Sequence, residues 1–300
     1  MSHRPFVSIV VCTYKREQIL CDTLRALLRQ LYPSFEIIVI DQTPRHLPET
    51  QKFLDTLVAQ GRIRYYRASP SLPKGRNLGA MQARGEVVLF VDDDIIPYPN
   101  LIQHHAAVYS EPSIGGVAGR RIVPGEREAL EPIGRINGCG RHISNFSSTL
   151  PALVEWASGC HMSFRRGLIA RAGLFEPKFL GTAAYEDVDF CFRLRRLGYE
   201  IRFVPQACLV HLRATSGGCA NRPRGLRWQY SAIHNRLLFF MRHYPPRELP
   251  RLLVSQVAVA MAYVRTCRNP LVLVPLAGAF IQVFHSYLVA TRSLPARHRG

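Results

Sequence analysis

The sequence predicts an α/β protein: a mainly parallel, mixed sheet flanked by helices, with a C-terminal helical extension. Three observations carry this. Short apolar runs rich in β-branched residues recur at 7–12, 35–40, 63–66 and 86–91, with helical periodicity between them. The last run goes straight into Asp92, Asp93 and Asp94, as a buried strand that ends in a ligand crevice would. From residue 228 onward only long helical patterns follow. With 47% hydrophobic content in 300 residues, the chain can bury a large core and is not a disordered protein.

Taken in order, VSIVVC at 7–12 reads as a first buried strand, and Thr13, Tyr14, Lys15 and Arg16 as its exit loop. Residues 17–30 carry Ile19, Leu20, Leu24, Leu27 and Leu28 at helical spacing, and Pro33 stops the pattern. FEIIVI at 35–40 is a second strand ending at Asp41. A helix over 51–59, a short strand at 63–66 and a helix opened by Lys74-Gly75-Arg76-Asn77 lead to the strand at 86–91, after which Pro97 and Pro99 are expected to end strand structure. Beyond it lie a helix at 101–109, a strand at 115–123 and a Gly- and Pro-broken segment at 124–151. Within that segment Arg135, Arg141 and His142 read as surface-loop residues, with contact to an acceptor as the alternative. A strand is expected at 156–164, a helix at 165–172 closed by Gly173, a helix at 187–197 closed by Gly198, and two strands at 201–205 and 207–212.

Asp41, the Lys74–Asn77 turn and the three aspartates all fall at strand ends or helix starts, so a doubly wound sheet can bring them to one crevice. Adjacent carboxylates at the end of a buried strand repel one another unless a cation joins them, and hard oxygen ligands suit Mg²⁺ or Mn²⁺. An acidic turn capping the next helix would account for the same residues. Lys74 and Arg76 suit a pyrophosphate, or form a solvated turn. Asp41 can receive a base or ribose hydrogen bond, or simply end a strand. No Gly-x-x-x-x-Gly-Lys-Ser/Thr loop occurs, and no Gly-x-Gly-x-x-Gly follows the first strand, which excludes a P-loop NTPase and a dinucleotide dehydrogenase. The second acidic cluster, Glu186-Asp187-Val188-Asp189, opens a helix, where carboxylates are favoured electrostatically whatever their role. His211, in an apolar run, is a packed core residue or a ligand.

Six stretches in order, VSIVVCTYKR, FEIIVIDQT, KGRNLGA, EVVLFVDDDIIPYP, SGCHMSFRR and EDVDFCFRLRRLGYEI, make the chain resemble family 2 glycosyltransferases, over about residues 7–211. The resemblance implies the GT-A fold, a nucleotide-diphosphate sugar donor and a divalent cation, Mn²⁺ or Mg²⁺. It places Thr13, Tyr14, Arg16, Asp41, Lys74, Arg76, Asn77, Asp92 and Asp93 around the donor. Asp94 and His211 would meet the metal, and Gly159, Cys160 and His161 the acceptor. Asp187 would be the base, with Glu186 beside it; Asp189, two positions on, would point elsewhere on the helix. Inversion of the sugar linkage is likewise an implication of the family. Where the family usually reads Asp-Asp-Gly-Ser, this chain has Asp41-Gln42-Thr43-Pro44, which leaves the base open.

The formal charge of +18 points to an anionic partner. From residue 201 onward the only acid is Glu248 and every cation except histidine is an arginine. No helix-turn-helix, zinc-finger or RNP-type pattern appears, so nucleic acid is not the expected partner. The eight cysteines contain no C-x-x-C pair and assemble no four-ligand zinc site; Cys12, Cys191 and Cys208 read as core residues. Two apolar, arginine-bracketed runs at 252–264 and 271–290 suit helices at an anionic membrane surface; packed soluble helices and a true span are the alternatives. The expected organisation is a catalytic domain at 1–215 and a helical region at 216–300. The expected setting is cell-envelope polysaccharide synthesis, cytoplasmic, at the inner face of the membrane. A polyprenyl-phosphate glycosyltransferase and a non-catalytic nucleotide-sugar or polyanion-binding protein are the competing readings.

Overall fold

The structure, a computed structural model, describes residues 4–128, 133–137, 140–218, 226–267, 271 and 273–292. It divides into two compact units. The first comprises Met1–Asn137, His142–Pro177 and Asp187–Asn221; the second comprises Gly138–Arg141, Lys178–Glu186 and Arg222–Gly300.

The first unit opens with β1 (Val7–Thr13), α1 (Gln18–Leu27), β2 (Phe35–Asp41), α2 (Pro48–Ala59), β3 (Arg64–Arg67), α3 (Leu72–Gln82) and β4 (Val87–Val91). These follow the alternation read from the sequence. Apolar strands buried on both faces are what a parallel sheet covered by helices requires. The remaining elements are β5 (Ile95–Pro97), α4 (Leu101–Val108), β6 (Ile114–Ile122), β7 (Arg135–Ile136), β8 (His142–Ile143), β9 (Ala152–Val154), β10 (His161–Arg165), α5 (Arg166–Arg171), α6 (Glu186–Arg196) and β11 (Glu200–His211). Among the described residues the main sheet runs β3-β2-β1-β4-β10-β6-β11-β5, with β9 also on β11; β7 and β8 form a separate ribbon.

Pairing is parallel from β3 through β4 and between β6 and β11. β10 is antiparallel to both its neighbours. The register sets Thr13 beside Asp41 and Val11 beside Val91, so three strand ends are level. Because β10 runs the other way, its first residue, His161, pairs with Val91, and the Gly159-Cys160 turn arrives next to Asp92.

Three expectations are corrected. Ile95–Pro97 forms an edge strand on β11 instead of ending strand structure after the aspartates. Pro97 is tolerated because it is the strand's last residue, on the sheet's edge. The expected strand at 156–164 begins only at His161, because a turn at 158–160 precedes it and Trp156 packs against Phe146 instead. The two strands expected around Pro205 are one, β11, with a register irregularity between Val204 and Cys208 that absorbs the proline.

Buried polar groups behind the sheet are paired. His105 and His161 meet Nε2 to Nε2 at 2.9 Å, His105 Nδ1 lies 2.8 Å from Ser163 Oγ, and the Arg120 carbonyl is 3.1 Å from His161 Nδ1. Burial pushes the His161 pKa down to about 3 and lowers that of His105 as well, so the pair is neutral.

In the second unit, α7 (Leu226–His243), α8 (Leu249–Cys267) and α9 (Leu273–Arg292) pack on one another. Asn235 on α7 bonds both the N–H and the carbonyl of Leu180 at 2.8 Å, holding the 178–186 segment. None of the described helices is long and apolar enough to cross a membrane. Val254, Val257, Phe280, Ile281 and Phe284 are nevertheless exposed.

α3 lies directly on β1. A Cβ on Gly79 would come within 2.3 Å of Val10 Cγ1. Alanine favours a helix over glycine, but overpacking costs about 1–3 kcal/mol and should win here. Gly79→Ala is expected to lower the unfolding free energy by that amount in chemical denaturation. Its effect should be less than additive with that of Val10→Ala.

Candidate active site

β4 ends at Val91, and the bend that follows it delivers Asp92, Asp93 and Asp94 in succession. Asp93 and Asp94 face Arg16, in the exit loop of β1. The guanidinium lies 3.4 Å from Asp93 Oδ1 through Nε and 3.2 Å from Asp94 Oδ2 through Nη2, with all three side chains buried. Arg16 also donates to the carbonyl of Ala214 at 3.2 Å and to that of Ser216. The segment after β11 is thereby bound to the aspartates, and Ala214 N–H donates to Asp94 Oδ2 at 2.9 Å. A Cβ on Gly217 would fall 2.1 Å from the Lys15 carbonyl, at a φ of +67°, so this closure depends on glycine.

His211, the last residue of β11, is brought in by pairing with Ile95. Its Nε2 is 3.2 Å from Asp92 Oδ2 and 3.4 Å from Asp94 Oδ1. Burial alone would lower its pKa, but the hydrogen bond to Asp92 and the charges of Asp92 and Asp94 raise it. Burial would raise Asp92, yet His211, Arg76 and Arg16 together hold its pKa below the usual carboxylate range. Asp93 goes the other way. Burial pushes it up to about 7, helped by Asp92 and Asp94 and opposed by the Thr13 hydroxyl and Arg16. Asp94 is also raised, first by burial. Asp93 Oδ2 and His211 Nδ1 are buried without a hydrogen-bond partner.

Arg76, the fifth residue of α3, continues the chain of contacts. It is buried, donates to the Gly159 carbonyl at 2.8 Å and reaches Asp92 Oδ1 at 3.9 Å. A Cβ on Gly159 would sit 2.6 Å from Arg76 Nη2, so glycine is what lets the guanidinium in. The N–H of Gly159 donates to Asp187 Oδ2 at 2.8 Å. A continuous series thus runs from Arg16 through Asp94, His211, Asp92, Arg76 and Gly159 to Asp187. Asp189 is spent on Arg193 at 2.8 Å and is fully buried, while Asp187 is partly open. Glu186 is buried in the second unit, its N–H on the Ala183 carbonyl.

The other expected residues fall in three groups. Thr13, Tyr14 and Cys160 lie at the same strand ends; Gln42 N–H donates to the Thr13 carbonyl and Asp92 N–H to that of Cys160. Lys74 is exposed, two residues before the buried Arg76 and so on the other side of α3. Asn77 and His161 are turned to structural partners: the Asn77 amide bonds both backbone groups of Phe175 at 2.8 Å, and His161 is in the buried histidine pair.

Asp41 sits at the centre of a cluster that the sequence did not announce. Its Oδ1 accepts from Thr43 N–H at 2.8 Å. Its Oδ2 accepts from Tyr65 and from Arg67 at 3.0 Å, and faces His46 Nε2 at 3.0 Å. The signal was the position of Tyr65 and Arg67 on a strand next to β2, alternate residues that share one face.

Residues 8–169 match the family described as glycosyl transferase family 2. The uncharacterized protein y4gI of Sinorhizobium fredii is 27% identical over 239 residues, covering 74% of this chain and 26% of that protein. A poly-beta-1,6-N-acetyl-D-glucosamine synthase of Staphylococcus epidermidis is 25% identical over 234 residues, 71% of this chain and 51% of the synthase. The chain therefore spans a quarter to a half of these relatives' lengths. Among solved structures, the mannosyltransferase PcManGT from Pyrobaculum calidifontis, in complex with GDP-Man and Mn²⁺, aligns at a TM-score of 0.55 and 17% identity. The alignment covers 99% of this chain and 82% of that one; at that identity the likeness is one of fold.

Removing Arg16 leaves two buried carboxylates without their cation, a loss of about 3–5 kcal/mol by analogy with broken buried ion pairs. Arg16→Met is expected to show that drop in chemical denaturation with chelator present. The double variant Arg16→Met, Asp94→Asn should recover part of it.

Proposed function

The chain belongs to glycosyl transferase family 2, and from that membership we propose that it moves a sugar from a nucleotide-diphosphate donor to a hydroxyl group of a glycan or lipid-linked acceptor, with inversion. The observation that carries this is the unbroken series of contacts from the aspartates through Arg76 and Gly159 to Asp187. It joins arginines, aspartates and a histidine at one end to a partly open carboxylate at the other.

The residues present fit a divalent cation. Two carboxylates and an imidazole converge, and Asp93 Oδ2 and His211 Nδ1 are left without hydrogen-bond partners. Asp94 and His211 would hold the ion, with Asp92 beside them. A bound Mn²⁺ or Mg²⁺ supplies charge neutralisation for the departing diphosphate. Arg76 adds a fixed positive charge near the N-terminal end of α3, the end at which an anion is favoured. Thr13, Tyr14 and the Asp41 cluster line the expected base end. Asp187, held by the N–H of Gly159, takes the proton from the acceptor hydroxyl as that oxygen attacks the anomeric carbon. Against a polyprenyl-phosphate acceptor, which is already ionised, this base would be dispensable.

The decisive experiment is a thermal-shift screen of the purified protein against UDP-, GDP-, TDP- and CDP-sugars, with and without Mn²⁺. One nucleotide class should raise the melting temperature, with metal only, and not in Asp94→Ala. A well-folded protein that responds to no donor would instead be a binding protein of another kind. Asp187→Asn should keep the donor shift while lowering kcat by roughly 10²–10⁴-fold, the usual worth of a general base. Unchanged turnover would favour the phosphate acceptor.

The second unit supports an acceptor at an anionic membrane surface. Val254, Val257, Ile281 and Phe284 are exposed, and the sequence from residue 226 onward carries Arg247, Arg251, Arg265 and Arg292 against the single acid Glu248. Co-sedimentation with anionic vesicles should exceed that with neutral ones. It should fall at least severalfold in the double variant Phe280→Asp, Ile281→Asp.

A further inference from the structure

Ligand atoms of three chemically different side chains, the Asp92 carboxylate, the Cys160 thiol and the His211 imidazole, all lie within 4.8 Å of one another. The backbone makes this proximity firm. β10 begins opposite Val91, and Asp92 N–H donates to the Cys160 carbonyl at 3.4 Å, so the sulfur is carried on the strand end beside Asp92. His211 Nε2 lies 3.2 Å from Asp92 Oδ2, held there by the pairing of β11 with β5. His211 Nδ1 is buried without a hydrogen-bond partner. A small hard ion such as Mg²⁺ has no use for sulfur. One oxygen, one nitrogen and one sulfur donor with a fourth position open is instead a donor set suited to Zn²⁺. Ligand atoms about 2.0–2.3 Å from a shared tetrahedral ion are spaced more closely than 4.8 Å, within reach of small side-chain rotations.

We propose that Asp92, Cys160 and His211 form a site for a thiophilic divalent cation of the Zn²⁺ class, and that this cation excludes the Mn²⁺ or Mg²⁺ that serves transfer. As the metal–sulfur bond forms, the thiol proton passes to solvent. Because His211 is a ligand in both arrangements and Asp92 borders the other, the two cations compete. The inhibitory consequence rests on the transferase reading above; the cation site itself does not.

The test uses the full-length, reduced, chelator-treated protein. Titration with Co²⁺ alone is expected to give a sulfur-to-cobalt charge-transfer band in the near ultraviolet and the intense visible bands of a four-coordinate ion. Zn²⁺ should bleach both at stoichiometric amounts, and excess Mg²⁺ should not. Cys160→Ser and Cys160→Ala should each abolish the charge-transfer band and weaken Zn²⁺ binding by roughly a hundredfold, as the loss of the softest protein ligand implies. Cys21→Ser, on the buried face of α1, should change neither. A charge-transfer band that survives both Cys160 substitutions overturns the proposal, as do the weak bands of six-coordinate Co²⁺ in the unsubstituted protein. The Co²⁺ spectrum is independent of turnover, so its failure is distinct from failure of the donor screen. In a transfer assay supported by Mn²⁺, Zn²⁺ should inhibit the unsubstituted protein and lose that effect in Cys160→Ser.

Discussion

The buried guanidinium of Arg16 between Asp93 and Asp94 is the contact on which the site depends. Three successive carboxylates at the end of an apolar strand would otherwise face one another in a poorly polarisable medium. Arg16 supplies one positive charge from the loop that leaves β1. It also bonds the carbonyls of Ala214 and Ser216 beyond β11. One side chain thus ties together the exits of three strands that are far apart in sequence. The compensation is incomplete: one arginine faces two buried acids, and Asp93 is still pushed up to about 7, burial being the first cause. Burial of an acid at the strand ends is thus only partly offset by the arginine beside it.

Sheet direction does the rest of the positioning. In the parallel half, β1, β2 and β4 end level, which sets Thr13, Asp41 and the aspartates along one edge. The antiparallel insertion of β10 is what adds a turn rather than another strand end beside Asp92. That turn contributes a carbonyl to Arg76 and an N–H to Asp187, through a glycine that leaves room for the guanidinium. The crevice therefore has a strand-end side, rich in carboxylates, and a turn side, rich in backbone dipoles.

Much of this was legible in the sequence for physical reasons. Apolar β-branched runs must be buried, helical spacing must lie on them, and glycines after helices mark their ends; the order β1 to β4 follows from these alone. Edge and insertion strands were less visible. Ile95–Pro97 is too short to have a period, and its pairing with β11 is non-local. The join across Pro205 is a tertiary fact, since a proline ends most strands but not one with an irregularity to receive it. In the site, Asp92, Asp94, Arg76, Asp187 and His211 were named chiefly by the family resemblance, and the structure brings these five together. Tyr65, Arg67 and His46 around Asp41 were not foreseen, because which side chains share a face with Asp41 depends on the neighbour of β2. That neighbour is a property of topology, not of any local pattern.

The structure also separates polar residues whose bonding is finished from those whose bonding is not. Asn77 has both ends of its amide on Phe175, His161 is closed within a neutral pair, and Asp189 is matched to Arg193; each is a fixed part of the scaffold. Asp187 accepts from two backbone N–H groups, at 2.8 and 2.9 Å, yet stays partly open, with lone pairs to spare. His211 keeps a buried Nδ1 without a partner, and Asp93 a buried Oδ2. A buried polar atom left unpaired costs free energy, so a fold that retains several at one place carries that cost where a ligand can relieve it. Two of these atoms, on Asp93 and His211, meet at the end of β4, while others among the described residues, such as Gln229 Oε1 on α7, lie elsewhere.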